Sequence, residues 1–196
     1  MAQKPSNLQI IDNLPKVVAA IDYMTTQKVM VGIPDTAAGR NDGSPISNAV
    51  IGYVMETGEP GHNVPARPFL VPGVESIQKE IVADLLIAGR LALDGDKPAV
   101  QRKLQALGVK AQNAVRSKIS SNIPPPLAES TVKARLRRTR KGTAMLKSLQ
   151  QQTMNLVYWG KNNLTTLINT GQLRQSITFV IRSLPAQRWR HGNDGK

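Results

Sequence analysis

The chain has 196 residues and a formal net charge of +13, so it has the size of one ordinary domain and a strong excess of positive charge. Its 40 % hydrophobic residues suffice for a core, but with 4 % aromatic residues that core must consist mainly of Leu, Ile, Val and Ala. The lack of cysteine excludes disulfides and thiolate zinc sites, and the two distant histidines, His62 and His191, argue against a histidine metal cluster.

The N-terminal segment is polar and aperiodic as far as residue 15, which is typical of a flexible arm or of an edge element that a neighbour holds in place, and we place this arm at 1–27. Its polarity, and the lack of an apolar run near the roughly 20 residues that span a bilayer, predict a soluble protein with no membrane contact. Residues 28–33 are mostly apolar and are followed by Pro34, so they predict a short buried strand.

Three helices are predicted in the middle of the chain. The first runs from about Ser47 to Gly58, the second carries an apolar stripe over 74–88, and the third spans about 99–121. Gly108 lies inside the third helix, where a glycine costs about 1 kcal/mol relative to alanine. We therefore expect Gly108 to mark a break in this helix or a close contact with another chain.

A further helix is predicted over about 127–139, after three consecutive prolines. Its first turn contains Glu129, where the helix dipole favours a carboxylate. The far end of this helix is basic, and we expect it to run out into a mobile basic excursion, which we place at about 133–163. The apolar stretch at 155–159 within this excursion suits a strand or a docking segment.

The last part of the chain predicts a second strand. A tight turn at 169–171 leads through a short helical turn to a strand over 176–182, in which apolar and polar residues alternate. One early and one late strand with helices between them predict an α+β fold, a small antiparallel or mixed β-sheet packed against two or three longer α-helices. We expect a single domain over 28–183, followed by a flexible basic tail at 184–196.

Nearly all of the excess charge lies in the last third of the chain. Residues 1–129 contain 13 basic and 12 acidic side chains, whereas residues 130–196 contain 13 basic and 1 acidic. Six of the cations fall within nine positions: Lys133, Arg135, Arg137, Arg138, Arg140 and Lys141. Such a block indicates a polyanion or an acidic protein surface as partner. Alternatively, it is a solvated loop that its charge keeps soluble.

No motif in the sequence supports catalysis. Phosphate-binding loops, dinucleotide fingerprints, nucleophile elbows and metalloprotease motifs do not occur. Glu56, Glu59 and His62 have a spacing that would suit a metal or acid–base site on a helix, but the proline and glycine at 60–61 break the helix that would align them. We expect a helix end followed by a loop there, and a turn at 94–96. The chain is therefore predicted not to be an enzyme and to bind no cofactor or metal.

Four short sequences, the motif strings, stand out from ordinary packing patterns. In chain order they are YVMETG at 53–58, PARPFL at 65–70, PLAEST at 126–131 and LINTGQLRQSI at 167–177. Their order and spacing resemble the tail-completion and neck proteins of tailed bacteriophages, the morphogenesis family that closes the tail and joins it to the head. In that family the last string usually contains an aspartate where this chain has Asn169, so a role that needs a carboxylate in the turn is lost.

The resemblance covers about residues 29–181 and implies a structural virion protein at the head–tail junction, assembled in the bacterial host cytoplasm. It implies a homo-oligomeric ring with a channel for DNA, and we expect a hexamer first and a dodecamer second. Its neighbours would be connector or adaptor proteins on the head side and tail tube or sheath proteins on the tail side. The basic block would contact phage DNA or an acidic protein surface.

The motif strings supply the expected contacts between subunits. The residues concerned are Glu56, Pro65, Arg67, Pro68, Phe69, Thr170, Gly171 and Leu173. Two prolines stiffen the segment around Arg67, whose five donors suit a carboxylate of a neighbouring subunit. We therefore expect Arg67→Ala to prevent the joining of heads to tails while leaving the monomer fold intact. In the alternative, Phe69 only anchors this loop to the core.

The turn in the fourth motif string is expected to be mainly structural. Gly171 permits a positive φ, Thr170 caps the short helix that follows, and Leu173 points into the core.

A DNA-binding module is the principal alternative to a ring protein. In this alternative, residues 133–141 form a helix that contacts phosphates, and the resemblance to phage proteins is incidental. Phosphate binding by about six cations would lose several orders of magnitude in affinity between low and physiological salt.

Overall fold

The computed structural model describes residues 13–35, 45–138, 140–151 and 164–184, with the backbone alone at 140–142 and 149–151. Over these residues the chain forms eight α-helices and two β-strands. In chain order they are α1 (Leu14–Thr26), β1 (Gln27–Gly32), α2 (Asn48–Thr57), α3 (Leu70–Glu75), α4 (Gln78–Leu93), α5 (Lys97–Ser120), α6 (Glu129–Arg137), α7 (Arg140–Gln151), α8 (Gln172–Ser176) and β2 (Thr178–Ser183).

The two strands pair antiparallel, β1 from the start of the chain with β2 from its end. Val29 lies opposite Ile181 and Val31 opposite Phe179, so apolar residues are neighbours across the sheet. All but α1 of the described helices lie between the strands in sequence. The predicted α+β class and the antiparallel pairing of an early with a late strand are thus confirmed, and each strand lies within two residues of its predicted position.

Helix α5 is the centre of the fold, and it contacts α3, α4 and both strands. The predicted helix over 99–121 is confirmed, and its buried face consists of Val100, Leu104, Leu107, Gly108, Ala111, Val115 and Ile119. The helix continues through Gly108 without a break. A Cβ there would collide with the ring of Phe179, so the expected contact with another chain is wrong: the glycine admits β2 of the same chain.

The N-terminal arm predicted at 1–27 is wrong for its second half, because α1 forms there. Pro15 stands in the first turn, where proline is compatible with a helix. The spacing of four between Ala20 and Met24 gives α1 a narrow apolar face, and Ala20 packs in one cluster with Ala88 of α4. The rest of the predicted arm, 1–12, lies outside the described residues.

The stripe predicted over 74–88 belongs to two helices, α3 and α4, which meet at Ser76 and Ile77. The Ser76 hydroxyl donates to the carbonyl of Gly73 at 2.6 Å, a local bond that competes with helix propagation. The helix predicted from Ser47 to Gly58 is confirmed, since the Ser47 hydroxyl accepts from Val50 N–H and caps α2.

The helix predicted over 127–139 is α6, and a second helix, α7, follows it directly. The expectation of a mobile excursion is therefore wrong over 140–151. Leu146 of α7 packs with Val132 and Leu136 of α6 and with Leu127, so a small apolar cluster holds the helix pair together. The apolar stretch at 155–159 and all of the predicted tail except Leu184 lie outside the described residues.

Candidate interaction site

The end of α2 and the start of α3 are joined by a single carboxylate. Glu56, in the last turn of α2, accepts hydrogen bonds from the backbone N–H groups of Phe69 at 2.7 Å, Leu70 at 2.9 Å and Val71 at 3.1 Å. At a helix start such donors have no intrahelical acceptor, and the helix dipole favours an anion. Glu56 thereby fixes the first motif string to the second.

The turn after α2 requires a glycine. Gly58 has a φ of 79°, and a Cβ there would lie 2.8 Å from the backbone nitrogen of Ala66. Only glycine adopts this conformation at such a close approach without strain. The backbone N–H of Arg67 donates to the carbonyl of Met55 at 2.7 Å, so the two strings run side by side.

Arg67 connects the second motif string to the loop before α6. Its guanidinium donates from Nε and Nη2 to the carbonyl of Pro125, at 3.0 and 2.9 Å, and from Nη2 to Pro126 at 3.4 Å. The residue is only 7 % exposed, and this burial lowers the pKa of the guanidinium. Nε and Nη2 of Arg67 are thus used within the chain, and the expected bond to a carboxylate of a neighbouring subunit stays a prediction.

Arg135 connects α6 to the segment that enters the fourth motif string. It donates from Nη1 to the carbonyls of Thr165 at 2.8 Å and Ile168 at 3.0 Å, and from Nη2 to Thr166 at 3.0 Å. Burial lowers the pKa of the Arg135 guanidinium, and the positive charges of Arg138 and Arg67 add smaller contributions. Three carbonyls therefore compensate the partial loss of water around this cation.

The same segment is also tied to the end of α5. The Thr166 N–H donates to Asn122 Oδ1 at 3.1 Å, and its hydroxyl donates to the carbonyl of Ile123 at 3.0 Å. Thr166 is 5 % exposed, so both of its polar groups have partners where water is excluded.

Residues of the first and fourth motif strings line one cleft of about 220 Å³. It lies between α2 and α8, and its lining consists of Ile51, Met55, Arg135, Thr166, Leu167, Asn169, Thr170, Gly171 and Leu173. Arg67 ties the second string to Pro126 of the third, and Arg135 of α6 ties that helix to Ile168 of the fourth. Sequence strings that are far apart thus form one hydrogen-bonded unit, which we call the motif unit.

Most of the residues expected at subunit contacts are internal to the motif unit. Phe69 is 1 % exposed and Leu173 is 8 % exposed, so the alternative in which Phe69 anchors the loop to the core is confirmed. Pro65, Pro68 and Thr170 are exposed and remain available to a partner.

The turn before α8 differs from its prediction in one respect. Gly171 has the expected positive φ, 81°, and it is itself the N-cap residue of α8. No side chain caps this helix, so the capping role predicted for Thr170 is wrong.

The basic block does not present six free cations. Arg135 is used inside the chain, and Lys133 forms an ion pair with Glu129 at 2.5 Å, one helical turn earlier. Arg137 and Arg138 are exposed. Arg140 and Lys141 lie in α7, where the structure describes only the backbone.

The carboxylates considered for a metal or acid–base site are separated. Glu56 faces α3, whereas Glu59 and His62 are exposed and lie 4.0 Å apart. Gly95 has a φ of 82° and Asp96 caps α5 by accepting from Ala99 N–H at 2.9 Å, so the predicted turn at 94–96 is confirmed. Among the described residues, no three His, Asp or Glu side chains are placed to hold a metal ion.

Asp84 forms an ion-pair clamp between α4 and α5 that the sequence did not reveal. The carboxylate of Asp84 lies 2.7 Å from both Lys103 and Lys110 and is 8 % exposed. Hydrogen bonds from the two lysines lower the pKa of Asp84. The spacing Ile77, Ile81, Asp84 places the residue on the buried side and could have shown its position.

Two kinds of surface in the described part of the chain have no partner. The sheet has only two strands there, so β1 and β2 each have an open edge. In addition, α4 and residues 17–21 of α1 carry large apolar side chains that are between 40 and 62 % exposed. None of the described helices is long and apolar enough to cross a membrane.

Comparisons with known proteins add nothing to this picture. No protein-family model, no curated protein and no solved structure matches the chain.

Proposed function

We propose that this chain is a structural virion protein that assembles as a ring at the head–tail junction of a tailed bacteriophage. The ring joins the connector to the tail tube and leaves a channel for DNA. This proposal rests on the resemblance of the four motif strings to tail-completion and neck proteins, together with surfaces that are suited to self-association.

The observation that carries the proposal is the two-stranded sheet with two open edges in the described part of the chain. An open edge exposes N–H and C=O groups that pair readily with a strand of another chain. Because one edge belongs to β1 and the other to β2, copies can join head to tail. Such heterologous contacts close into a ring when the rotation from one copy to the next is a full turn divided by a whole number.

The motif unit makes each copy rigid enough for this geometry. Arg67, Arg135 and Glu56 fix the segments around α2, α3, α6 and α8 by eight hydrogen bonds to backbone groups plus the weaker bond to Pro126, all within one chain. A ring of fixed subunit number needs a fixed angle between its contact surfaces. A subunit that is already rigid provides that angle, and it loses little conformational entropy when it assembles.

The basic C-terminal third supports a contact with the neighbouring layer. Arg137 and Arg138 are exposed at the end of α6, and the sequence beyond residue 129 contains only one acidic residue. An acidic face of a connector or tail tube protein, or DNA in the channel, would complement this charge.

Negative-stain imaging of the purified chain tests the proposal. We expect closed rings of uniform diameter with a central opening, and these rings should persist at high salt. Ions do not weaken sheet-edge pairing or buried apolar contacts, and they screen the repulsion between positively charged copies. Isolated particles of monomer size at all protein concentrations would contradict it.

DNA binding is the second candidate, and the exposure of Arg137 and Arg138 is the observation that favours it. With Lys133 and Arg135 occupied inside the chain, we expect few phosphate contacts and a shallow salt dependence. A gel-shift titration of duplex DNA at two salt concentrations measures this slope. A slope that corresponds to six or more contacts, from a chain that is monomeric, would favour the DNA-binding module over the ring.

A further inference from the structure

Helix α4 carries on its solvent side a line of apolar residues that no described part of the chain covers. We call it the α4 stripe, and it consists of Val82, Leu86, Gly89 and Leu93. Their spacing of four, three and four residues places them one above the other on a single helix face. Val82, Leu86 and Leu93 are 52, 62 and 54 % exposed. This is the pattern of a helix that packs against another helix.

Gly89 is a second, independent sign of a partner. Glycine is unfavourable inside a helix, and internal packing explains it in α3 and α5, where a Cβ at Gly73 or Gly108 would collide with Val115 or Phe179. At Gly89 a Cβ would have no atom within 4 Å. The residue therefore leaves a notch in the α4 stripe that the described part of the chain does not use.

We propose that the α4 stripe pairs with the α4 stripe of a second copy of this chain, antiparallel and about a two-fold axis. The four positions are symmetric about the midpoint between Leu86 and Gly89. In an antiparallel pair, Leu86 of each copy lies opposite Gly89 of the other, and Val82 lies opposite Leu93. A large side chain then fills the notch at both central positions, as in knobs-into-holes packing.

The available apolar area is close to that of a small interface. Helix α1, which packs on α4 through Ala20 and Ala88, adds further exposed apolar side chains. The side chains concerned on the two helices are Val17, Val18, Ile21, Val82, Leu85, Leu86 and Leu93. At roughly 60–120 Å² per whole side chain, seven half-exposed side chains provide about 200–400 Å² per copy. A small interface buries up to about 600 Å² per partner, of which somewhat more than half is apolar.

The charge of the chain predicts how salt acts on this contact. The α4 stripe contains no charged residue, while each copy carries a net charge of +13. Repulsion between two such copies opposes pairing, and salt screens it. Pairing should therefore tighten as salt rises, which is opposite to the behaviour of phosphate binding.

This contact is distinct from the proposed ring, whose contacts are head to tail, and the two can be tested separately. Sedimentation equilibrium of the full chain compares wild type with Leu86→Glu, Gly89→Leu and the control Val109→Glu, which alters a 46 % exposed valine on α5. We expect Leu86→Glu to raise the Kd of the two-fold contact at least 100-fold and Gly89→Leu at least 10-fold, with the control within 2-fold. The Tm of monomeric Gly89→Leu should not fall, since the notch is open.

Cysteine cross-linking locates the contact directly, because the chain contains no cysteine. A mixture of Leu86→Cys and Gly89→Cys chains should form a disulfide-linked dimer on oxidation, and Val109→Cys chains should not.

Unchanged association of Leu86→Glu, or tighter association of Gly89→Leu, would overturn the proposal. Association that appears only after residues 1–12 are deleted would also overturn the proposal, because those residues would then be the segment that covers the α4 stripe. A two-fold dimer that forms no ring would overturn the ring proposal alone, and a ring unaffected by Leu86→Glu would overturn this one alone.

Discussion

Arg67 and Arg135 have no carboxylate partner among the described residues and donate to backbone carbonyls instead. The acceptors of Arg67 lie 58 and 59 residues further along the chain, and those of Arg135 lie 30 to 33 residues further. Each guanidinium therefore fixes a distant loop that has no regular structure of its own. The planar fork, rather than the charge, makes arginine suitable for this role.

Replacing Arg67 should destabilise the monomer, contrary to the expectation from sequence that the fold stays intact. Arg67→Ala removes a buried side chain and its two short hydrogen bonds from a charged donor to the carbonyl of Pro125, and we expect a loss of about 2–3 kcal/mol of unfolding free energy. Urea denaturation measures it, with the exposed Arg102→Ala as control. An unchanged midpoint together with failed assembly would return Arg67 to a role between subunits.

Glu56 should matter more than the neighbouring carboxylate Glu59. Glu56→Gln weakens three hydrogen bonds at the start of α3 and removes the charge that the helix dipole favours, so we expect a loss of about 1–3 kcal/mol. The exposed Glu59→Gln should stay within about 0.5 kcal/mol of wild type. Equal effects in urea denaturation would show that the Glu56 contacts do not stabilise the fold.

The contribution of Asp84 to the unfolding free energy depends on pH. Its folded-state pKa lies below the ordinary value of 3.8, so its ion pairs stabilise the fold above that value and lose their effect as pH falls through the folded pKa. At pH 7 we expect Asp84→Asn to cost about 1–2 kcal/mol, allowing for solvent at the partly exposed lysine ends. Urea midpoints of variant and wild type should converge below about pH 3.8; a constant difference would contradict this explanation.

At the scale of elements, two helix glycines have opposite roles. Gly108 in α5 admits Phe179 of β2, so Gly108→Ala should destabilise the chain by about 1–3 kcal/mol despite alanine's better helix propensity. Gly89 in α4 has open space, so Gly89→Ala should stabilise the monomer by about 0.5–1 kcal/mol. Thermal unfolding of dilute protein measures both, and effects of the same sign would contradict this reading of the two helices.

Elements with strong local signals were predictable from the sequence, and elements that depend on tertiary contacts were not. Ser47 and Gly58 mark the ends of α2 with a cap and a stop, and both signals are local. By contrast, α1 depends on packing against α4, and the break between α3 and α4 depends on a side-chain hydrogen bond at Ser76. Neither contact leaves a clear pattern within the segment itself.

For the whole molecule, the topology followed from the sequence, but the arrangement of the motif strings did not. An early and a late strand with helices between them predicted the antiparallel sheet. The sequence also marked Arg67 as a hydrogen-bond donor with a special role, but not its acceptor. That acceptor is a carbonyl group, which every residue has, so only the fold identifies Pro125.

The central claim for the whole molecule is that copies of this chain assemble with each other. Native mass spectrometry of the full chain, over a range of protein and salt concentrations, tests it most directly. We predict one dominant closed oligomer, six copies or else twelve, whose mass does not decrease as salt rises. A chain that stays monomeric at high concentration and binds duplex DNA at low salt would contradict it.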